Sequence, residues 1–150
     1  MEPRMPHPAM VVPGAMDALQ AVGAAVGQAG LDPRTVELVC LRASQINGCA
    51  VCLAGHLRAL KELGETDERL ATVAAWREAP WFSDAERAAL ALTEAGTRLA
   101  DRPGAVDDQL WAEAARHYDE TALAALVLAV ANINVWNRLN AMTAQVAGSW

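Results

Sequence analysis

The chain is expected to be all-α, a compact bundle of six or seven helices, on three observations. Of its 150 residues 53% are hydrophobic, with alanine and leucine prominent and aromatics scarce apart from five tryptophans. That composition suits close helix–helix contacts and does not suit a β-sandwich. Apolar residues recur at helical spacing in segment after segment, and no strand-like alternation stands out. Glycine, proline and capping residues punctuate those segments where helices start and stop.

Residues 1–13 hold four prolines and no helical period. They read as an N-terminal arm, partly flexible or packed on a neighbour. The helical domain then occupies 14–150. Met16, Leu19, Val22 and Val26 give residues 14–29 an apolar stripe, and Gly30 suits the stop. Asp32-Pro33 is an N-cap followed by proline at the first helical position, opening a helix to about Gln45. Asn47-Gly48 breaks the chain, so that Cys49 lies near the start of a helix running to Leu63 and ending at Gly64. Thr66 or Asp67 begins a short helix through Trp76, stopped before Pro80. Ser83-Asp84-Ala85-Glu86 is a capping box for a helix to about Ala100. After Pro103-Gly104, residues 106–117 and 120–145 form the last two helices. Leu123, Leu126, Val127, Val130, Ile133 and Trp136 supply one stripe of the final helix, while alanine and leucine fill its other faces. Apolar residues on several faces point to a homo-oligomer.

A net charge of −6 without a Lys/Arg cluster argues against nucleic-acid binding. No basic stretch followed by an apolar one marks a secretory leader. The apolar run Thr121–Val135, interrupted by Asn132 and Asn134, is short for a membrane span, so no membrane partner is expected. A cytoplasmic location follows as the default. In that compartment a Cys-x-x-Cys is more often catalytic or metal-binding than a structural staple, and three cysteines cannot all pair.

The chemistry concentrates in Asn47-Gly48-Cys49-Ala50-Val51-Cys52-Leu53-Ala54-Gly55-His56. Steps of three and seven residues turn a helix by roughly 300° and 700°. Cys49, Cys52 and His56 therefore share one face, and Val51 points away from it. A helix start and a protonated histidine both favour a thiolate. Two thiols so placed can cycle between dithiol and disulfide. His56, one turn beyond Cys52, can hold or pass the proton that a thiol must lose. The bland alternative is two small buried hydrophobes and a hydrogen-bonded histidine. Zinc on Cys49, Cys52, His56 and Glu37 is a further reading, weakened by the lack of a second Cys/His pair. Peroxide chemistry at a dithiol calls for no cofactor and no resident metal.

Glu37, Ser44, Asn47, Cys49, Cys52 and His56 together resemble the Glu…Ser-x-x-Asn-x-Cys-x-x-Cys-x-x-x-His core of the alkylhydroperoxidase D-like (AhpD-like), or carboxymuconolactone decarboxylase-like, proteins. The resemblance continues through Ala74–Pro80, Phe82–Arg87 and Asn132–Leu139, and spans about residues 15–145. It implies an AhpD-like fold assembled as trimers or hexamers. It also implies a thiol-dependent peroxidase whose Glu37 lies against His56 in a proton relay. Ser44 and Asn47 would support the turn between the helices. The substrate would be a peroxide, and the partner an unidentified thiol or dithiol reductant. Val51 departs from the family, which often has an aromatic or a histidine there, so no proton-transfer role carries over to it.

Two considerations bear on which sulfur attacks. The i,i+4 relation to His56 favours deprotonation of Cys52. Cys49, nearer the helix start, has the better claim to exposure. On that balance attack is placed on Cys49 and resolution on Cys52. The rival functions are a lactone decarboxylase, which needs no dithiol, and a redox-sensing oligomer that oxidises once and changes assembly. Cys40 is assigned to the core. Asn134, Trp136, Asn137 and Arg138 are assigned to helix packing and a polar oligomer contact.

Overall fold

A computed structural model describes residues 1–148. Among these residues the elements are eight α-helices and one 3₁₀ turn. The helices are α1 (Pro8–Val11), α2 (Ala15–Gln28), α3 (Pro33–Asn47), α4 (Ala50–Glu62), α5 (Asp67–Thr72), α6 (Asp84–Thr97), α7 (Asp108–His117) and α8 (Glu120–Met142), with the 3₁₀ turn at Val73–Ala75 after α5. Seven segments coincide with those legible in the sequence. The eighth helix is the single turn α1, capped by the His7 side chain accepting from the Ala9 amide.

The boundaries follow from local chemistry. Asp32 accepts from the Arg34 amide and Pro33 opens α3. Gly48 ends α3 at φ 68°, a left-handed conformation that glycine adopts without a Cβ penalty. The Ser83–Glu86 capping box is present in both directions at the head of α6.

Helix α3 is the centre of the bundle, packed against α4, α6 and α8. It is buried on two sides. Val39 and Ala43 belong to one apolar cluster with Leu126 and Ile133 of α8. Leu38 and Leu41 belong to a second cluster with Leu60, Val73, Trp76, Phe82 and Leu90. Where α3 meets α6, Arg42 and Glu94 pair at 2.7 Å. Glu94 also receives Trp76 Nε1 at 3.1 Å and Arg77 Nη1 at 2.6 Å.

Helix α8, at 23 residues, extends beyond the Thr121–Val135 run read from the sequence. By length and composition alone it could cross a membrane, yet 44% of its most apolar stretch is buried inside the bundle. Its inward face also carries three buried asparagines, Asn134, Asn137 and Asn140.

The N-terminal arm lies along this helix's own end. The Arg4 amide donates to Thr143 O at 2.8 Å, Arg4 Nη1 to Met142 O at 2.8 Å, and Gln145 Nε2 to Met5 O at 2.9 Å. His7 is buried and stacks on Trp136 with ring centroids 5.6 Å apart.

Burial alone would raise the Glu94 pKa, but hydrogen bonds from Arg77, Arg42 and Trp76 outweigh it and hold the carboxyl below its ordinary 4.5. A depressed folded-state pKa adds stability above the unfolded value, and that stability is lost as pH falls through the folded value. Glu94→Leu is expected to cost about 2 kcal/mol at neutral pH by leaving Arg42 and Trp76 without their acceptor. Urea unfolding at pH 7 and pH 3 checks this, with the gap between wild type and variant narrowing on acidification. A gap of equal size at both pH values contradicts it.

Candidate functional site

The site forms where α3 ends and α4 begins. Because Gly48 turns the chain at the end of α3, Cys49 becomes the N-cap of α4. Its amide donates to Ser44 O at 3.0 Å, and its sulfur accepts from the Cys52 amide at 3.3 Å. Cys49 and Cys52 are joined in a disulfide, with Cα atoms 5.4 Å apart. The N-cap position thus gives Cys49 the reach to close a ring onto the first turn of its own helix.

His56 lies one turn beyond Cys52 on α4. Its Nδ1 is 2.7 Å from Glu37 Oε2 on α3. A carboxylate on Nδ1 fixes the ring's orientation and leaves Nε2 as the nitrogen free to exchange a proton. Both side chains are partly buried, at 23% and 25% exposed, so the pair is sheltered while remaining within reach of a ligand.

A cavity of about 350 Å³ adjoins these groups, lined by Glu37, Cys52 and His56, and by Val26, Val36, Ile133 and Trp136 among its apolar walls. Val51 also lines it, contrary to the expectation that Val51 points away. Helix α8 packs across the start of α4, so the wall includes the residue beside Cys52 as well as Cys52 itself. The order of exposure expected for the cysteines is reversed too. Cys49 is 3% exposed and does not line the cavity, whereas Cys52 is 7% exposed and does. The N-cap position tucks Cys49 against the end of α3, where its amide meets Ser44 O.

Ser44 and Asn47 bond into the corner. Asn47 Nδ2 donates to Asn134 Oδ1 at 3.0 Å and to Asn137 Oδ1 at 2.8 Å. Asn137 Nδ2 donates to Ser44 Oγ at 3.0 Å, and Ser44 Oγ to Cys40 O at 2.8 Å. Asn134 and Asn137 are therefore engaged inside one chain, and no oligomer contact is needed to account for them. Asn140, one turn on, donates through Nδ2 to Cys52 Sγ at 3.3 Å. It was not among the sequence candidates, although three asparagines at i, i+3 and i+6 of an apolar helix were a visible signal.

Cys40 is buried in the first apolar cluster and also touches the cavity. Burial, reinforced by the nearby Glu37 charge, pushes its thiol far above the ordinary value. Among the described residues no group of three or more His, Cys, Asp or Glu side chains is arranged to hold a metal ion.

The sequence profile of the Carboxymuconolactone decarboxylase family matches residues 13–95. The chain belongs to that family. An uncharacterised Bacillus subtilis protein, YdfG, is 38% identical over 113 residues, which cover 75% of this chain and 76% of YdfG. A crystal structure from Agrobacterium tumefaciens superposes with a TM-score of 0.90 at 30% identity, covering 99% of this chain and 100% of that one. Its protein is of unknown function and is described as a candidate AhpD antioxidant defence protein. An uncharacterised peroxidase-related protein from Silicibacter sp. TM1040 has a TM-score of 0.78 at 19% identity, over 90% of this chain and 71% of that one, and shares the fold. The fold is thus the AhpD-like all-α bundle of the family, with a redox-capable cysteine pair at the head of α4.

Proposed function

We propose that this protein is a thiol-dependent peroxidase of the alkyl hydroperoxidase type, cycling Cys49 and Cys52 between dithiol and disulfide. The observation that carries the reading is the junction of three groups at one cavity. Cys52 opens onto it, His56 stands one turn away with Glu37 on its Nδ1, and Cys49 lies within bonding reach of Cys52.

In this reading His56 takes the proton of the Cys52 thiol, and Glu37 holds the resulting imidazolium. The thiolate attacks a hydroperoxide at its hydroxyl oxygen. The S–O bond forms, the O–O bond breaks, and Cys52 becomes a sulfenic acid. His56 returns its proton to the departing alkoxide as an alcohol. The Cys49 sulfur then attacks Cys52, forming the disulfide and releasing water. A dithiol reductant resets the pair by exchange. Attack therefore falls on Cys52 and resolution on Cys49. The apolar walls of the cavity suit an organic hydroperoxide. Lactone decarboxylation, the other activity suggested by the family, makes no use of the cysteine pair.

The same proposal includes a cytoplasmic location and a homo-oligomer, trimer or hexamer. Val127, Leu128 and Val135 of α8 are exposed apolar residues that such an assembly would cover. Light scattering at micromolar concentration is expected to return a multiple of the chain mass, and a monomer would reject the assembly.

The relay is tested with Glu37→Gln and His56→Gln. Each is expected to slow peroxide-driven oxidation by ~10²–10⁴-fold at neutral pH, with helicity unchanged. Raising the pH should restore part of the rate, since hydroxide substitutes for the missing base. Folded variants that match wild type at every pH would remove both residues from the mechanism.

A further inference from the structure

The three buried asparagines of α8 are not equivalent. Asn134 uses both ends of its amide, accepting from Asn47 and Arg138 while donating to Thr97 Oγ1 and Val130 O. Asn137 likewise accepts from Asn47 and donates to Ser44. Asn140 does not. Its Nδ2 donates to Cys52 Sγ at 3.3 Å, while its Oδ1, though buried, accepts no hydrogen bond from the protein. The residue is 4% exposed and lines the same cavity as Cys52 and His56. A buried carbonyl oxygen without a donor is costly, and native structures carry few of them. Here the unsatisfied acceptor belongs to the same amide that touches the sulfur.

We infer that Asn140 is a further catalytic residue of the proposed peroxidase, donating through Nδ2 to the Cys52 thiolate and accepting through Oδ1 the hydroxyl hydrogen of the hydroperoxide. The inference rests on the reading of the preceding section. In the disulfide form Nδ2 already faces Cys52 Sγ, and a thiolate would hold the amide in that direction, because it accepts and an amide oxygen beside it would be repelled. A hydroperoxide arriving from the cavity has one hydrogen to donate, on the oxygen that the thiolate must reach. Donation of that hydrogen to Oδ1 holds that oxygen beside Cys52 Sγ. Attack then forms the S–O bond, and the electron pair of the O–O bond leaves with the alkoxide. The hydroxyl hydrogen stays on the sulfenic acid, and His56 supplies the proton that completes the alcohol. Sulfur is oxidised and the peroxide reduced, with no other reactant. One amide thus serves both partners of the reacting pair, which accounts for its placement and for its unmatched oxygen.

The test separates the two ends of the amide. Fully reduced wild type, Asn140→Leu and Asn140→Asp are reacted with iodoacetamide across pH, and Cys52 is followed by peptide mass spectrometry. Parallel reactions use tert-butyl hydroperoxide. Iodoacetamide reports the thiolate and has no hydroxyl to place. Loss of the Nδ2 donor should move the Cys52 alkylation midpoint up by about one pH unit in Asn140→Leu, and further in Asn140→Asp, where a carboxylate faces the sulfur. At pH values where every variant is fully thiolate, alkylation rates should be equal. The peroxide reaction should there be about tenfold slower in Asn140→Leu, which has lost the acceptor, and less slowed in Asn140→Asp, which has kept it.

An unshifted alkylation midpoint in either folded variant overturns the donor role. Peroxide and iodoacetamide rates that fall in the same proportion in Asn140→Leu overturn the acceptor role. If Asn140→Leu does not fold, Asn140→Ala, which also lacks the donor and adds no charge, decides the donor role by its midpoint. The acceptor role is then decided by Asn140→Ser, which is expected to keep part of the peroxide rate, against Asn140→Ala, which is not; equal rates in the two overturn it. A wild type that is alkylated normally but ignores every hydroperoxide would instead reject the peroxidase reading, while a shifted midpoint would leave the Asn140–Cys52 contact standing.

Discussion

The Asn47 side chain, donating to Asn134 and Asn137 of α8, is the contact on which the site's geometry depends. It lies at the last residue of α3, one position before the left-handed Gly48. A helix end that both turns sharply and is pinned to a core helix fixes the direction in which the next helix departs. That direction sets Cys49 at the N-cap, Cys52 on the cavity wall and His56 one turn behind it. The polar contacts sit where the bundle is otherwise apolar, so each donor and acceptor lost there leaves a partner unsatisfied in a low-dielectric environment. Register between α3, α4 and α8 is thereby specified more narrowly than hydrophobic packing alone would require.

The disposition of charge follows from the same corner. Glu37 is nearly three turns before Asn47 on α3, and meets His56 across the α3–α4 contact at 2.7 Å. The Glu37–His56 contact is partly open to the cavity, whereas Cys40, one turn along α3 from Glu37, is buried and its thiol is pushed far above its ordinary value. Burial thus sets Cys40 apart from the two cysteines at the head of α4, which are joined in a disulfide.

Much of this was legible in the sequence because it is written locally. Asp32-Pro33, Asn47-Gly48 and the Ser83–Glu86 box each specify a helix end within a few residues, and the structure has them there. The Cys-x-x-Cys-x-x-x-His spacing likewise brings Cys52 and His56 to one wall. What escaped depends on partners far along the chain. Asn134 and Asn137 bond residues about ninety positions away, so their burial could not be told from an oligomer contact. Asn140 lay just beyond the Asn132–Leu139 stretch that carried the resemblance. Val51 lines the cavity because α8 crosses the head of α4, a placement that helical phase alone does not contain. The arm's docking needed Trp136 as a platform for His7, and proline-rich composition said nothing of that stack.

The most direct measurement of the central claim is an anaerobic thiol count on fully reduced protein, before and after one equivalent of an organic hydroperoxide, with peptide mapping of the product. The account predicts that two thiols per chain disappear, that one equivalent of alcohol forms, and that the new bridge joins Cys49 to Cys52 with Cys40 still a thiol. Retention of all three thiols, or a bridge that includes Cys40, would contradict it.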